Sequence, residues 1–244
     1  MLIKVCLNGS RERGEHRALP LSPQELALDA RRSVDAGAGA VHIHPRSVDG
    51  TQTFAAQECG AAIEAVRATC PGIPLGTTTA AWIEPDVQQR LKLIQQWQVL
   101  PDFVSVNFSE PGTPELCSFL LIRGIGIEAG LGSIEDAQLL IRMGIADRCV
   151  RILIEPVEEE IVSALITVEA IEKMLYHAHV QTPRLLHGFN TTAWPLLKLA
   201  LQRGYNTRIG LEDTLTLPDG RQATGNAELV LNALIEQDTA NNHE

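Results

Sequence analysis

Short apolar runs alternate with longer stretches of helical periodicity along the whole chain. The runs lie at 2–7, 40–44, 73–78, 102–107, 124–128, 149–154, 184–187 and 206–211. They are rich in Val, Ile and Leu and too short for helices, which is the pattern of strands buried on both faces. Apolar residues recur with a period near 3.6 around 23–36, 54–69, 85–98, 113–121, 134–143, 159–178, 191–203 and 225–237, the pattern of helices that bury one face. This alternation over 244 residues predicts an α/β fold, a single (β/α)8 TIM barrel, whose usual size is about 250 residues. A doubly wound open sheet competes, because alternation alone does not establish closure.

Local chemistry supports the boundaries. Ser22-Pro23-Gln24-Glu25 has the features of a helix start, with Ser22 as N-cap, Pro23 at the first helical position and Glu25 closing a capping box. Ser133 followed by Glu135 and Asp136 is similar. Gly37 stands where a glycine commonly ends a helix. Gly124-Ile125-Gly126 reads as close backbone packing inside a strand. With no linker or low-complexity segment, residues 1–244 read as one domain, with Asp238 to Glu244 a polar, frayed tail. No G-x-G-x-x-G follows a strand and there is no Walker loop, so the common nucleotide-binding folds lose ground.

Composition narrows the class of partner. A formal charge of −10 disfavours nucleic acid or an anionic membrane surface as a partner. The five cysteines, Cys6, Cys59, Cys70, Cys117 and Cys149, are scattered and form no C-x-x-C pair. They read as buried hydrophobes in a reducing cytoplasm. The N-terminus lacks a signal-peptide pattern, and no apolar run approaches the ~18–20 residues of a membrane span.

Candidate chemistry centres on His42-x-His44. Residues two apart on a strand project from one face, so both imidazoles point at one place, as a metal site requires. In a barrel the catalytic rim is formed by the C-terminal ends of the strands. Polar residues collect there: Asn8, His42, His44, Thr77, Thr78, Thr79, Asn107, Glu110, Glu128, Glu155, His187, Arg208, Glu212 and Asp213. In a closed barrel the end of strand eight lies about 10 Å from the end of strand two. Arg208, Gly210 and Glu212 share a strand parity, which makes Glu212 the candidate third ligand, with Gly210 leaving room for a ligand or neighbouring backbone. Two His and one carboxylate with open positions form a catalytic zinc pattern that iron or manganese would also accept. Asp213 is either a general base or an ion-pair partner of Arg208. A second His-x-His, His177-Ala178-His179, falls at a helix end and reads as surface.

These motifs resemble the β-keto acid cleavage enzyme family. The resemblance is carried by Asn8-Gly9, the segment Leu19 to Glu25, Val41-His42-Ile43-His44-Pro45-Arg46, Gly76-Thr77-Thr78-Thr79 and Val104 to Phe108. It is strongest at Arg208-Ile209-Gly210-Leu211-Glu212-Asp213, followed by Asn226 to Val230. It implies a zinc-dependent barrel, usually a homotetramer, that condenses a β-keto acid with acetyl-CoA into acetoacetate and an acyl-CoA. His42, His44 and Glu212 match the zinc ligands. Arg208 and Asp213 match a catalytic pair, and Glu128 a carboxylate near the reacting centre. Thr78 stands where the family has a substrate-binding serine, and of Glu12 and Glu15 the latter better fits a further family glutamate. Asn8, Thr79, Asn107 and Arg46 complete the expected substrate contacts. In the simplest route a base takes a proton from acetyl-CoA. Ser47 follows Arg46 where the family usually has Asp.

Two other readings remain. A metal-dependent hydrolase of amidohydrolase-like type would need more ligands, of which His187 could be one. A metal-stabilised barrel that binds a small acid as a sensor is the third, against which Arg208 and Asp213 beside Glu212 weigh only weakly.

Overall fold

Each of the eight apolar runs forms a strand, and in the computed structural model, which describes residues 1–241, the strands close on themselves. They are β1 (Ile3–Cys6), β2 (Ala40–Ile43), β3 (Leu75–Thr78), β4 (Phe103–Asn107), β5 (Gly126–Leu131), β6 (Arg151–Ile154), β7 (Arg184–Leu186) and β8 (Asn206–Ile209). Every neighbour pair is parallel, and β8 pairs with β1 through Lys4 opposite Arg208. The helices are α1 (Pro23–Asp35), α2 (Ala56–Thr69), α3 (Val87–Gln95), α4 (Thr113–Arg123), α5 (Ile134–Met143), α6 (Ile161–His177), α7 (Ala193–Gln202) and α8 (Asn226–Asn241). The (β/α)8 barrel is thus closed, and the open-sheet alternative is excluded. No helix among the described residues is long and apolar enough to cross a membrane.

Strand alternation divides the interior in two. Val5, Val41, Val104, Ile127, Ile152 and Ile209 face the helices and build the apolar layer. The alternate residues face the barrel lumen, which is unusually polar. Lys4 and Glu128 are both fully buried there and paired, and Arg151 Nε lies 3.2 Å from Glu128 Oε1. Lys4 and Arg151 each stand over the Phe103 ring, which occupies the space above Gly76 that a side chain would fill.

The Ser22 capping box forms as expected, and Ser133 caps α5 by accepting from the Asp136 amide. Three boundaries differ from expectation. Gly124 is not in a strand. It ends α4 at φ 70, a left-handed conformation that glycine adopts without penalty, and β5 starts only at Gly126. β8 stops at Ile209, so Gly210 to Glu212 form a turn rather than more strand. α8 runs to Asn241, past the Asp238 at which the polar tail was expected to start, and the rest of that tail, 242–244, lies outside the described residues.

Candidate active site

The turn after β8 puts Glu212 where the parity argument placed it, by a different route. The Glu212 amide donates to the Cys6 carbonyl at 3.3 Å, while Asp213 and Thr214 turn back onto the Gly210 carbonyl at 2.9 and 3.0 Å. Gly210 is glycine because the Cys6 backbone lies where its side chain would be. Gly9, at φ +53, leaves the space that the Glu212 side chain fills. His42 comes from β2 and His44 from the residue beyond Ile43, their ring centroids 5.1 Å apart. Glu212 Oε2 lies 4.0 Å from His42 Nε2 and 3.8 Å from His44 Nε2. Among the described residues these three form the metal-type donor group, with ligand atoms within 4.8 Å of one another. Donors around one zinc at about 2.1 Å stand roughly 3.4 Å apart, so small side-chain rotations would close the set.

The electrostatics suit a cation. Glu212 Oε2 is buried and makes no hydrogen bond, while Oε1 accepts from Arg208 at 2.7 Å. Burial works against charge on Glu212, but Arg208, then His44 and His42, hold its pKa below the usual range. Burial also lowers both imidazoles, which favours the neutral form that has a lone pair to donate. The donor set and its orphaned oxygen therefore fit a divalent ion. Asp213 Oδ1 accepts from Arg208 Nε at 3.1 Å, and Oδ2 is buried without a partner. Burial raises Asp213 to about 6, against the opposing pull of Arg208.

A cavity of about 400 Å³ opens above this cluster, lined by His44, Arg208 and Glu212, with Thr78 and Asn107 from the expected contacts. The other expected residues lie elsewhere. Asn8 spends both ends of its amide on the backbone of His44, at 2.9 Å each. Arg46 donates to the carbonyls of Gly9, Arg11 and Gly50, and Thr79 donates to that of Ser105. Glu15 lies outside the cavity and pairs with Arg11. Glu128 is mid-strand rather than at a strand end, two residues before the cavity-lining Gly130 and so about 7 Å deeper, where it is committed to Lys4 and Arg151. Asp213 stands behind Arg208 and does not line the cavity. His177 and His179 are on the surface.

Several neighbours carried no assigned role at the outset. Gln52 Oε1 meets His44 Nδ1, and the Trp82 ring stacks on His44 at 6.3 Å. The sequence held a signal for Gln52, since Asp49-Gly50 marks a turn that folds it back beside Arg46. Arg11, Ser105, Phe189 and Asn190 also line the cavity.

A parallel (β/α)8 barrel with a three-donor centre, an arginine–aspartate pair and a cavity at its C-terminal rim defines an enzyme-type site. A sequence model of the beta-keto acid cleavage enzyme family, BKACE, matches residues 1–117 and 129–237. The chain belongs to that family. Glu128 falls in the gap between the matched stretches. Two 3-keto-5-aminohexanoate cleavage enzymes, from Fusobacterium nucleatum and Acetoanaerobium sticklandii, are 24% and 22% identical to the chain. Each alignment covers 94% of this chain and 88% or 89% of the relative. The structure of ObcA with oxaloacetate superposes with a TM-score of 0.71 at 17% identity. The ternary complex of ObcA with a C4-CoA adduct and oxalate gives 0.73, also at 17%. Both cover 93% of this chain, which spans 64% of the ObcA chain, so that likeness speaks for the fold.

Proposed function

We propose that the protein is a zinc-dependent acyltransferase that converts a β-keto acid and acetyl-CoA into acetoacetate and the CoA thioester of the remaining acyl part. The observation that carries this reading is Glu212 Oε2, buried, unpartnered and facing two imidazoles beside the Arg208–Asp213 pair. His42, His44 and Glu212 would hold the ion, which supplies Lewis acidity toward the keto oxygen; iron or manganese suits the same donors. The small molecules bound in the two ObcA complexes, oxaloacetate and a CoA adduct, are in keeping with a keto acid and a CoA ester as partners.

The products fix which proton is removed. Deprotonating acetyl-CoA would, after carbon–carbon cleavage, leave acetate and a β-ketoacyl-CoA, so the simplest route set out above does not balance for acetoacetate. The proton must leave C2 of the β-keto acid, between its keto and carboxyl groups. The C2 carbanion then attacks the acetyl thioester carbonyl and releases the CoA thiolate. The thiolate adds to the original keto carbon, the C2–C3 bond breaks, and C2 of acetoacetate is reprotonated. The Arg208–Asp213 pair, with Asp213 raised toward neutrality, is the proposed acid–base unit that takes this proton and later returns it. Arg208, between Asp213 and the cavity, offers its guanidinium to the negative charge that develops. The Thr78 hydroxyl accepts from the Ala80 amide at 3.1 Å, which leaves its own proton for the substrate carboxylate.

The hydrolase reading loses support because His187 faces Glu155 and Asp213 and lies outside the donor group. The test is to incubate metal-assayed protein with a panel of β-keto acids, with and without acetyl-CoA, and to follow acetoacetate. Cleavage without acetyl-CoA, or activity that is unchanged after the metal is stripped, would overturn the mechanism.

A further inference from the structure

The sheet stops short of two of the three donors. Its strands end at Ile209 in β8, Cys6 in β1 and Ile43 in β2, which are neighbours in the closed barrel. His44 stands one residue beyond its strand and Glu212 three beyond. The Glu212 amide still reaches the Cys6 carbonyl, but at 3.3 Å. Backbone that has left the ladder needs other partners for its buried donors and acceptors.

Two fully buried asparagines supply them. Asn8 reaches from the loop after β1 across to β2. Its Nδ2 donates to the His44 carbonyl and its Oδ1 accepts from the His44 amide, each at 2.9 Å. Asn226, at the start of α8, joins β1 to the turn after β8. Its Nδ2 donates to the Leu7 carbonyl at 2.9 Å, and its Oδ1 accepts from the Leu211 amide at 2.7 Å. Nδ2 also donates to Asp29 Oδ2 at 2.6 Å, which fixes the orientation of the amide. Asn226 Oδ1 lies 2.9 Å from the place a Cβ of Gly210 would take, so the turn that carries Glu212 is seated against it. Each side chain offers one acceptor and a donor, as a peptide group does; an aspartate would lack the donor.

We propose that Asn8 and Asn226 are positioning residues that stand in for missing rungs of the sheet and hold the backbone of His44 and Glu212 in place, so that the three donors are arranged before an ion arrives. A site fixed in this way binds without first ordering its loops. The consequence for zinc rests on the metal reading of the cluster; the fastening itself does not.

The full chain is compared with Asn8→Ala, Asn226→Ala and a reference, Thr182→Val. Thr182 donates to the Ala146 carbonyl at 2.7 Å just ahead of β7, at the opposite end of the barrel. Amide hydrogen exchange in the metal-free proteins reads the fastening. The Glu212 amide in Asn226→Ala should exchange about tenfold faster or more. So should the Thr53 amide in Asn8→Ala, since it donates to the Pro45 carbonyl beside His44. The Phe108 amide, just past the end of β4 on another side of the barrel, should keep its rate. Zinc affinity, measured against a competing chelator, should fall about 10–100-fold in both asparagine variants. The visible spectrum of their cobalt forms should shift, and Thr182→Val should match the parent in both. If an alanine variant does not fold, Asn8→Asp, or Asn226→Asp combined with Asp29→Asn, takes its place; each keeps the accepted bond and loses the donated one to backbone. Parent exchange rates at Glu212 and Thr53 overturn the proposal. Faster exchange with unchanged zinc affinity also overturns it, as does an equal loss of affinity in Thr182→Val. A parent that binds no zinc overturns the proposed function, and the exchange rates, taken without metal, still decide the fastening.

Discussion

Gln52 Oε1 lies 2.5 Å from His44 Nδ1, and this contact decides which ring nitrogen of His44 faces Glu212. With Nδ1 donating to the amide oxygen, the neutral ring keeps its lone pair on Nε2, 3.8 Å from Glu212 Oε2. Outer partners of this kind fix tautomer and ring orientation, and losing one commonly costs 10–100-fold in metal affinity. Gln52→Ala is expected to weaken zinc binding by about that factor in competition with a chromophoric chelator. His44→Ala should remove most bound metal while leaving the far-ultraviolet circular dichroism unchanged. Full metal content in that variant would place the centre elsewhere.

The arginine–aspartate pair gives a second expectation. Asp213→Asn keeps the shape that holds Arg208 and leaves the three donors intact, so metal content should be unchanged. Turnover should fall by about 10² or more if Asp213 moves the proton. A loss below tenfold would make it a positioning residue for Arg208, consistent with its place behind that side chain rather than on the cavity wall.

The barrel and the clustering of His42, His44 and Glu212 were legible because their signals are local and periodic. The two imidazoles share a strand face, and the strand count alone puts Glu212 near them. The details that depend on where a strand stops were not legible. Gly210 lies within an apparently continuous apolar run, and only the Cys6 carbonyl pressing on it shows why the chain turns there. Gly124 misled in the same way, since a helix-ending glycine and a strand glycine look alike between apolar neighbours. Asn8, Arg46 and Glu128 carry the right chemistry at or near the rim, but whether a polar side chain faces substrate or braces the backbone depends on partners far away in sequence. Asn8 turns to His44, Arg46 to the loop after β1, and Glu128 to Lys4.

The pair inside the barrel tests that bracing directly. Lys4 and Glu128 are both fully buried, and Arg151 is the other cation on Glu128. Lys4→Met keeps the length of the side chain and leaves Glu128 with half its compensation. Breaking a buried pair from one side costs about 3–5 kcal/mol, so a loss of that order is expected in urea unfolding. The double variant Lys4→Met, Glu128→Gln should recover part of it. A single variant within about 0.5 kcal/mol of the parent, the usual scatter for surface changes, would show that Arg151 alone satisfies the carboxylate.

Asp29 on α1 links the same scaffold to pH. Its Oδ2 accepts from Asn226 Nδ2 at 2.6 Å, and Asn226 in turn donates to the Leu7 carbonyl and accepts from the Leu211 amide, next to Glu212. Burial raises Asp29 to about 6, with the Asn226 hydrogen bond and Arg32 opposing. The unfolded chain releases this proton near pH 4 and the folded chain only near 6, so between those values the folded state holds more protons. Stability from this group is therefore greatest below pH 4 and declines as pH rises to about 6, after which it is level. The decline is on the order of 3 kcal/mol. Asp29→Asn, whose side-chain oxygen can still accept from Asn226, should remove that slope and be more stable than the parent at pH 7. The comparison is a set of urea midpoints for the two proteins from pH 4 to 7. Parallel curves would mean that Asp29 is ionised throughout and held by Arg32 instead.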